Sequence, residues 1–286
     1  MPIGASPGAF IYCLIRDIVP VPVWVAIGAF VQIPIVRHLP LAVALAWPAV
    51  LLGPPLLYTF VWSFIPYRFL RAPSAVVPGR FTAVLKADDD ELHGVPDELR
   101  PDTKQSMSPR RPMGLLLIGA RYNGPGGFMA AGMSHIGPAF GSMLRELEAD
   151  PSLGLITGQT LQETAQWRNN ALWIVLYFSS TDAAQAFARR SMHASSWRNY
   201  FDPKNADRHL FCEIFHELYS INANSWEAVY VNSTPRGLAS AHTRGEDDEE
   251  GQPTWKSAVR KLAPKSSRSS SRMRGDDEEN SEMYKP

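Results

Sequence analysis

Residues 171–200 read ALWIVLYFSSTDAAQAFARRSMHASSWRNY, and this stretch decides the fold. Its first part, 172–178, is an unbroken apolar, β-branched and aromatic run of the length of a buried strand. The polar residues at 179–182 then provide side chains that favour a helix N-terminus. The spacing therefore predicts a strand followed by an amphipathic helix over 182–200.

Two further strands are predicted immediately after this helix. Residues 209–221 read HLFCEIFHELYSI, and residues 226–233 read WEAVYVNS. Both runs are rich in the β-branched and aromatic residues that strands favour, and the Asn-rich segment 222–224 between them is typical of a turn. The pattern predicts an antiparallel hairpin.

The segment before this stretch completes a recognisable element order. Residues 113–121 (MGLLLIGAR) and 153–164 are predicted strands, and residues 136–149 have apolar residues at helical spacing. The order is β-α-β-β-α-β with one extra strand, which predicts an α+β, ferredoxin-like antiparallel sheet with helices on one face. In a dimeric α+β barrel a second copy covers the other face, so we expect a homodimer that closes an apolar chamber.

The N-terminal region carries two long segments without charged residues. They cover 18–36 (19 residues) and 39–66 (28 residues). About 20 apolar residues cross a bilayer as a helix, so each segment predicts a membrane span. Several prolines weaken a regular helix, so the sequence does not decide whether the chain crosses the membrane once or twice. Basic residues on both outer flanks favour cytosolic ends, which would place the following domain in the cytosol.

Changes in composition divide the chain into four regions. We expect a membrane anchor over 1–71, a linker over 72–112, a ferredoxin-like domain over 113–240 and a disordered charged tail over 241–286. The linker is rich in proline and charge, with a short strand predicted over 80–85.

Charge and motif content exclude several classes of protein. The chain has 28 basic and 28 acidic residues and two cysteines. Balanced charge without a nucleic-acid-binding motif argues against a nucleic-acid partner, and two separated cysteines argue against a disulfide framework or a cysteine metal site. The glycine-rich segment 119–127 matches no phosphate-binding pattern, and the sequence has no hydrolase elbow or zinc-protease motif.

Two histidines are the candidates for proton transfer, since imidazole titrates near neutral pH. His193 lies four residues from Trp197, so both share one helix face. His216 alternates with apolar residues on one side of its strand. The alternatives are a solvated His193 beside a packing Trp197, and a hydrogen-bonded core role for His216. Aromatic residues suited to an apolar ligand, or to the core, are Tyr177, Trp167, Trp226 and Tyr230.

The segments FHELY at 215–219, WEAVYVN at 226–232 and the following Pro235, Gly237 and Leu238 resemble the fungal antibiotic-biosynthesis-type monooxygenase-like family. The resemblance covers about 111–239. It implies a dimeric α+β barrel subunit, an oxidative role in secondary metabolism, and no need for a metal or flavin. Positions carried over from the family are Tyr177, His193, Trp197, His216, Glu217 and Tyr230. Many relatives have Tyr-Trp-Arg-Ser where this chain has Tyr-Phe-Ser-Ser at 177–180.

These observations lead to three functional hypotheses. The first is a membrane-tethered, cofactor-independent monooxygenase-like protein that oxidises an apolar metabolite, with His216 or His193 as the base. The second is a haem-binding barrel enzyme with one of these histidines as the axial ligand. The third is a non-catalytic ligand-binding protein or scaffold for tailoring enzymes.

Overall fold

The computed structural model describes residues 15, 19, 21–65, 74–85, 110–124, 127, 136–164, 170–205, 211–223, 225–247 and 253–261. Within these ranges the chain forms a pair of apolar helices, a four-stranded sheet covered by three helices, and two smaller sheets.

The two apolar helices are α1 (Val21–His38) and α2 (Leu41–Phe64). Among the described helices, one is long and apolar enough to cross a membrane, and this stretch is Leu41–Val61 within α2. Apolar side chains of both helices are exposed, including Phe30 at 73% and Leu56 at 67%. The predicted apolar helix over 39–66 is therefore present, and a second span in α1 stays a prediction.

The main sheet contains β2 (Met113–Tyr122), β3 (Leu155–Gln162), β4 (Leu172–Phe178) and β5 (Cys212–Ile221). Its spatial order is β3-β4-β2-β5, and every neighbouring pair is antiparallel. A β-α-β-β-α-β chain takes this order in the ferredoxin-like arrangement. The prediction of an α+β, ferredoxin-like antiparallel sheet is confirmed.

Three helices, α3 (Ile136–Ala149), α4 (Thr181–Ala188) and α5 (Ser191–Tyr200), lie on one face of this sheet. Strand alternation turns one set of side chains from the sheet toward these helices. The buried cluster on this side comprises Leu147, Leu153, Ile174, Leu176, Phe178, Ala184 and Phe187. This core holds α3 and α4 on the sheet. None of its buried residues belongs to α5.

The single helix predicted over 182–200 is in fact broken into α4 and α5. Arg190 has an extended backbone, with φ −66° and ψ 155°, and α5 begins at the next residue. The Arg190 guanidinium contacts Glu146 at 3.5 Å and Asp150 at 3.2 Å, near the C-terminal end of α3. These contacts hold the turn against α3, so that α5 takes its own direction.

The second sheet corrects the predicted hairpin. It contains β1 (Val77–Ala83), β6 (Tyr230–Ser233) and β9 (Val259–Lys261) in the order β6-β1-β9. The strand predicted over 226–233 is therefore shorter, and it pairs with β1 rather than with β5.

Contacts of Trp226 explain why the chain leaves the main sheet. Its side chain is 7% exposed, its indole Nε1 donates to the Arg111 carbonyl at 3.0 Å, and its own carbonyl accepts from Arg110 at 2.7 Å. The Thr82 hydroxyl of β1 also donates to the Ala228 carbonyl. The carbonyls of Trp226 and Ala228 are therefore paired with side chains of Arg110 and Thr82, and not with β5.

Ordered strands also occur where the sequence predicted a disordered tail over 241–286. β7 (His242–Asp247) pairs with β8 (Pro253–Ser257), and β9 pairs with β1. Ala258 is 1% exposed and packs in the same cluster as Phe81. The prediction is wrong for these strands. They are three to six residues long and lie within charged runs, so they are too short to show the alternation of apolar and polar residues that identifies a strand. Residues 262–286 lie outside the described part of the chain.

Candidate active site

A cavity of about 370 Å³ lies between the main sheet and helices α3 and α5. Apolar groups form its wall on both sides: Ile118, Ile136, Ala139, Phe140, Met143 and Ile214. Polar and aromatic side chains line the rest: His193, Ser195, Ser196, Trp197, Asn199, Tyr200 and His216. The volume lies in the range of pockets that bind small molecules. The cavity is built within one chain, on the helix-covered face, whereas the sequence predicted a chamber closed by a second copy.

Strand pairing places His216 in this cavity. His216 of β5 lies opposite Ile118 of β2, and both project toward the helices. The same alternation brings Ile214 and Cys212 into the wall. Among the described residues, none forms a hydrogen bond with the His216 ring. His216 is exposed, so a ligand that enters the cavity can contact its ring.

Helix α5 places His193 in the same cavity. The indole Nε1 of Trp197 donates to Nε2 of His193 at 3.2 Å, as their four-residue spacing on one helix allows. The backbone at Ala188 hydrogen-bonds to the same imidazole. Burial, with a smaller contribution from the His216 charge, lowers the pKa of His193 below its ordinary value of 6.5. The neutral ring is therefore favoured at neutral pH.

Aromatic contacts fix the C-terminal end of α5. The Trp197 and Phe201 rings stack with centroids 5.1 Å apart, and Tyr200 meets both rings edge-on. The Tyr200 hydroxyl donates to the Cys212 carbonyl at 2.6 Å, which ties α5 to the first residue of β5. Burial raises the pKa of Tyr200, so its hydroxyl stays protonated. This contact closes one end of the cavity.

The predicted site residues therefore divide into two groups. His193, Trp197 and His216 line one cavity. Tyr177 and Tyr230 instead lie on the opposite side of the sheet, next to the cluster that contains Phe81 and Leu238.

Tyr177 and Tyr230 meet over Gly237. Both hydroxyl oxygens lie 3.5 Å from the point that a Cβ at Gly237 would occupy, and this glycine has a φ of +50°. Burial raises the pKa of both tyrosines. They pack in the core between the two sheets and do not reach the cavity.

The remaining predicted residues also lie away from the cavity. Trp226 is buried beneath the Arg110 guanidinium, whose central carbon lies 5.0 Å from the ring centroid. Glu217 is exposed and accepts a hydrogen bond from the Tyr219 hydroxyl on the other face of β5. Trp167 lies outside the described residues.

Sequence reasoning missed several residues of the cavity wall. Phe140 and Met143 belong to the apolar spacing that predicts the helix over 136–149, and Tyr200 ends the helix predicted over 182–200, so the sequence assigned none of them to a site. The available signal was that Tyr200 follows His193 and Trp197 at helical spacing, seven and three residues on.

Among the described residues, no three His, Cys, Asp or Glu side chains come together in a group that could hold a metal ion.

Comparison with known families places the resemblance on the main sheet. Residues 113–238 match the family model described as Monooxygenase af470-like. The predicted resemblance to a fungal monooxygenase-like family is confirmed. The match covers the four strands and three helices that build the cavity.

A curated relative supports the same assignment. The chain is 26% identical to Monooxygenase af470 of Aspergillus fumigatus over 181 residues, which are 63% of this chain. The aligned part spans 60% of the length of that relative.

Solved structures with a similar arrangement have low sequence identity. SnoaB, a cofactor-independent oxygenase from Streptomyces nogalater, is 11% identical, with a TM-score of 0.24 over 38% of this chain and 90% of that chain. A dimeric ferredoxin-like protein from an uncultured marine organism is 9% identical, with a TM-score of 0.26 over 39% of this chain and 96% of the other. Likenesses at these values say nothing about function.

Proposed function

We propose that this protein is a membrane-tethered, monooxygenase-like enzyme that oxidises an apolar small molecule without a bound cofactor. One observation carries the proposal: His193 of helix α5 and His216 of the following strand β5 line one largely apolar cavity. The match of residues 113–238 to a monooxygenase family supports the reaction class.

The chemistry requires a base, an apolar space and oxygen. A base removes a proton from an acidic carbon or hydroxyl of the substrate, and the resulting electron-rich carbanion gives electrons to O₂. One oxygen atom enters the product as a carbonyl, and the other leaves as water with the two hydrogens that the substrate loses. The cavity would hold the substrate in position beside the base.

His216 is the better base of the two histidines. The Nε2 lone pair of His193 already accepts a hydrogen bond from Trp197, so this nitrogen takes up a proton only if that bond is lost. No described residue competes for the His216 ring. We assign His216 as the catalytic base and His193 as a neutral residue that positions the substrate.

Labelled oxygen tests this assignment. Purified full-length protein in detergent is incubated with a panel of phenols and 1,3-dicarbonyl compounds under ¹⁸O₂, and products are analysed by mass spectrometry. We expect one ¹⁸O atom in the product and loss of turnover in His216→Gln. Turnover of a panel compound with no label in its product would contradict a monooxygenase reaction.

Haem binding is the second candidate, and one observation limits it. Because His193 Nε2 accepts from Trp197, His216 is the one of the two cavity histidines that would hold a haem group. When bound there, haem would supply oxygen activation. Titration of the wild type and of His216→Gln with haem, followed at the Soret band, tests this possibility.

A non-catalytic ligand-binding or scaffold role makes a different prediction from either enzyme. In that case His216→Gln would leave the biological function of the protein unchanged. Deletion of the gene, complementation with wild type or His216→Gln, and metabolite profiling separate these classes and also test a role in secondary metabolism.

The proposal also includes the membrane anchor, the cytosolic location of the domain and a homodimer. We take 1–71 as the anchor and place the domain, centred on 113–240, in the cytosol. The domain would form a homodimer, and detergent-corrected mass measurement of the purified protein tests this.

A further inference from the structure

The two N-terminal helices share a small contact seam near the turn that joins them. Of the described side chains of α1 and α2, four are buried or half-buried and the others are exposed: Gln32, Ile35, Ala44 and Pro48. They are spaced three residues apart on α1 and four apart on α2, so each pair lies on one helix face. Outside this seam, apolar side chains are exposed around both helices.

Pro48 leaves one carbonyl of this seam without its usual donor. In an α-helix the carbonyl of a residue accepts from the N–H four residues later. The residue four positions after Ala44 is Pro48, which has no N–H. The Ala44 carbonyl therefore loses its intrahelical bond.

Gln32 of α1 supplies the missing donor. Its Nε2 donates to the Ala44 carbonyl at 2.9 Å, and Ala44 is 0% exposed. In a bilayer, an unpaired carbonyl is strongly unfavourable because no water is present to pair with it. The amide of Gln32 would be equally costly in lipid without a partner. Each group thus satisfies the other across the two helices.

We propose that α1 and α2 enter the membrane as one helical hairpin, locked by the bond from Gln32 to the carbonyl freed by Pro48. This inference rests on the membrane tether in the proposed function and extends it to two spans. The helices are about 27 Å and 36 Å long, compared with about 30 Å of hydrocarbon. Both flanks of the hairpin then lie on the same side, with Arg37 and His38 at the opposite surface.

Topology is tested first, on the full chain in sealed vesicles. Cysteines at Leu39 or Ser74 are introduced singly into a Cys13→Ser, Cys212→Ala background that carries an N-terminal epitope, and each is reacted with an impermeant maleimide. The hairpin predicts Ser74 and the epitope on one side and Leu39 on the other. Leu39 on the side of Ser74, or the epitope opposite Ser74, would overturn it. Complete release by alkaline carbonate would instead refute the tether itself.

A double-mutant cycle tests the lock. Gln32→Met keeps the shape of the side chain but removes its donor, and Pro48→Ala returns an N–H to the Ala44 carbonyl. Unfolding is measured by SDS titration in mixed micelles. We expect Gln32→Met to lower the folded-to-unfolded ratio about threefold in the wild type, the average for such bonds between membrane helices, and to have no effect in Pro48→Ala.

Pro54→Ala is the matched control, because Pro54 removes the donor of the Val50 carbonyl, which Gln32 does not contact. In that background Gln32→Met should keep its threefold effect. Equal effects of Gln32→Met in all three backgrounds, or no effect in any, would overturn the lock.

Discussion

The two faces of the main sheet carry similar aromatic residues but are organised differently. On the outer face Tyr177 packs with Tyr230 over Gly237, and nearby Trp226 is buried beneath Arg110. On the helix face, His193, His216 and Trp197 surround a cavity of about 370 Å³. Aromatic composition therefore does not identify a site. What distinguishes the two faces is whether the side chains enclose a space or fill it.

The largest expected difference between the faces is in turnover. His216→Gln should lower kcat about 100- to 10,000-fold, the usual contribution of a general base, while Tyr177→Phe should change it little. Both variants are assayed by ¹⁸O incorporation, with circular dichroism to verify folding. Comparable losses in the two variants would contradict the assignment of the cavity as the active site.

For the free energy of unfolding, the larger effect is expected from a substitution on the outer face. Trp226→Ala removes a buried ring and the bond from Nε1 to the Arg111 carbonyl, so we expect a loss of about 3–5 kcal/mol in the free energy of unfolding. Chemical denaturation of the purified protein measures it. Phe211→Ala, at a side chain 45% exposed, is the control and should cost below about 1 kcal/mol. An equally small loss for Trp226→Ala would show that the outer face is not a packed core.

Removal of the Trp197 hydrogen-bond donor should raise the pKa of His193. Trp197→Phe keeps an aromatic ring but no longer donates to Nε2, which stabilises the neutral imidazole. The pKa of His193, followed by NMR, should rise toward 6.5 from its lowered value. An unchanged or lower pKa in this variant would mean that the bond does not hold the neutral form.

The smallest expected effect is on the pH dependence of stability. Since the folded pKa of His193 is below 6.5, the unfolded chain binds more protons as the pH falls through this range. Stability from His193 is thus fully present above about pH 6.5 and is lost as the pH falls toward the lowered folded pKa. His193→Gln should flatten this slope in denaturation curves measured between pH 5 and 7. A slope identical to the wild type would remove His193 as its source.

Much of the main sheet could be predicted because its signals are local. The run LWIVLYF at 172–178 and the alternating strand with His216 depend on adjacent residues, and both occur in the structure as β4 and β5. The residues of β9 could not be found this way. A strand of three residues has no measurable period, and β9 forms only because β1 lies beside it.

The candidate site was predictable only in part for a related reason. His193 and Trp197 share a helix face by spacing alone, and that prediction is confirmed by their hydrogen bond. Which face of the sheet Tyr177 and His216 occupy relative to the helices depends on packing. Sequence spacing shows that residues alternate, but it does not show which side the helices cover.

The sequence by itself determined the order of the elements, the antiparallel sheet and the apolar helices, because strand runs, caps and hydrophobic length are properties of neighbouring residues. Only the tertiary structure decided that the helix breaks at Arg190, that β6 joins β1, and that His193 and His216 meet in one cavity. Those outcomes depend on contacts between residues far apart in the chain, such as Arg190 with Asp150 and Trp226 with Arg111. These contacts stabilise the protein only after folding has brought the two partners together.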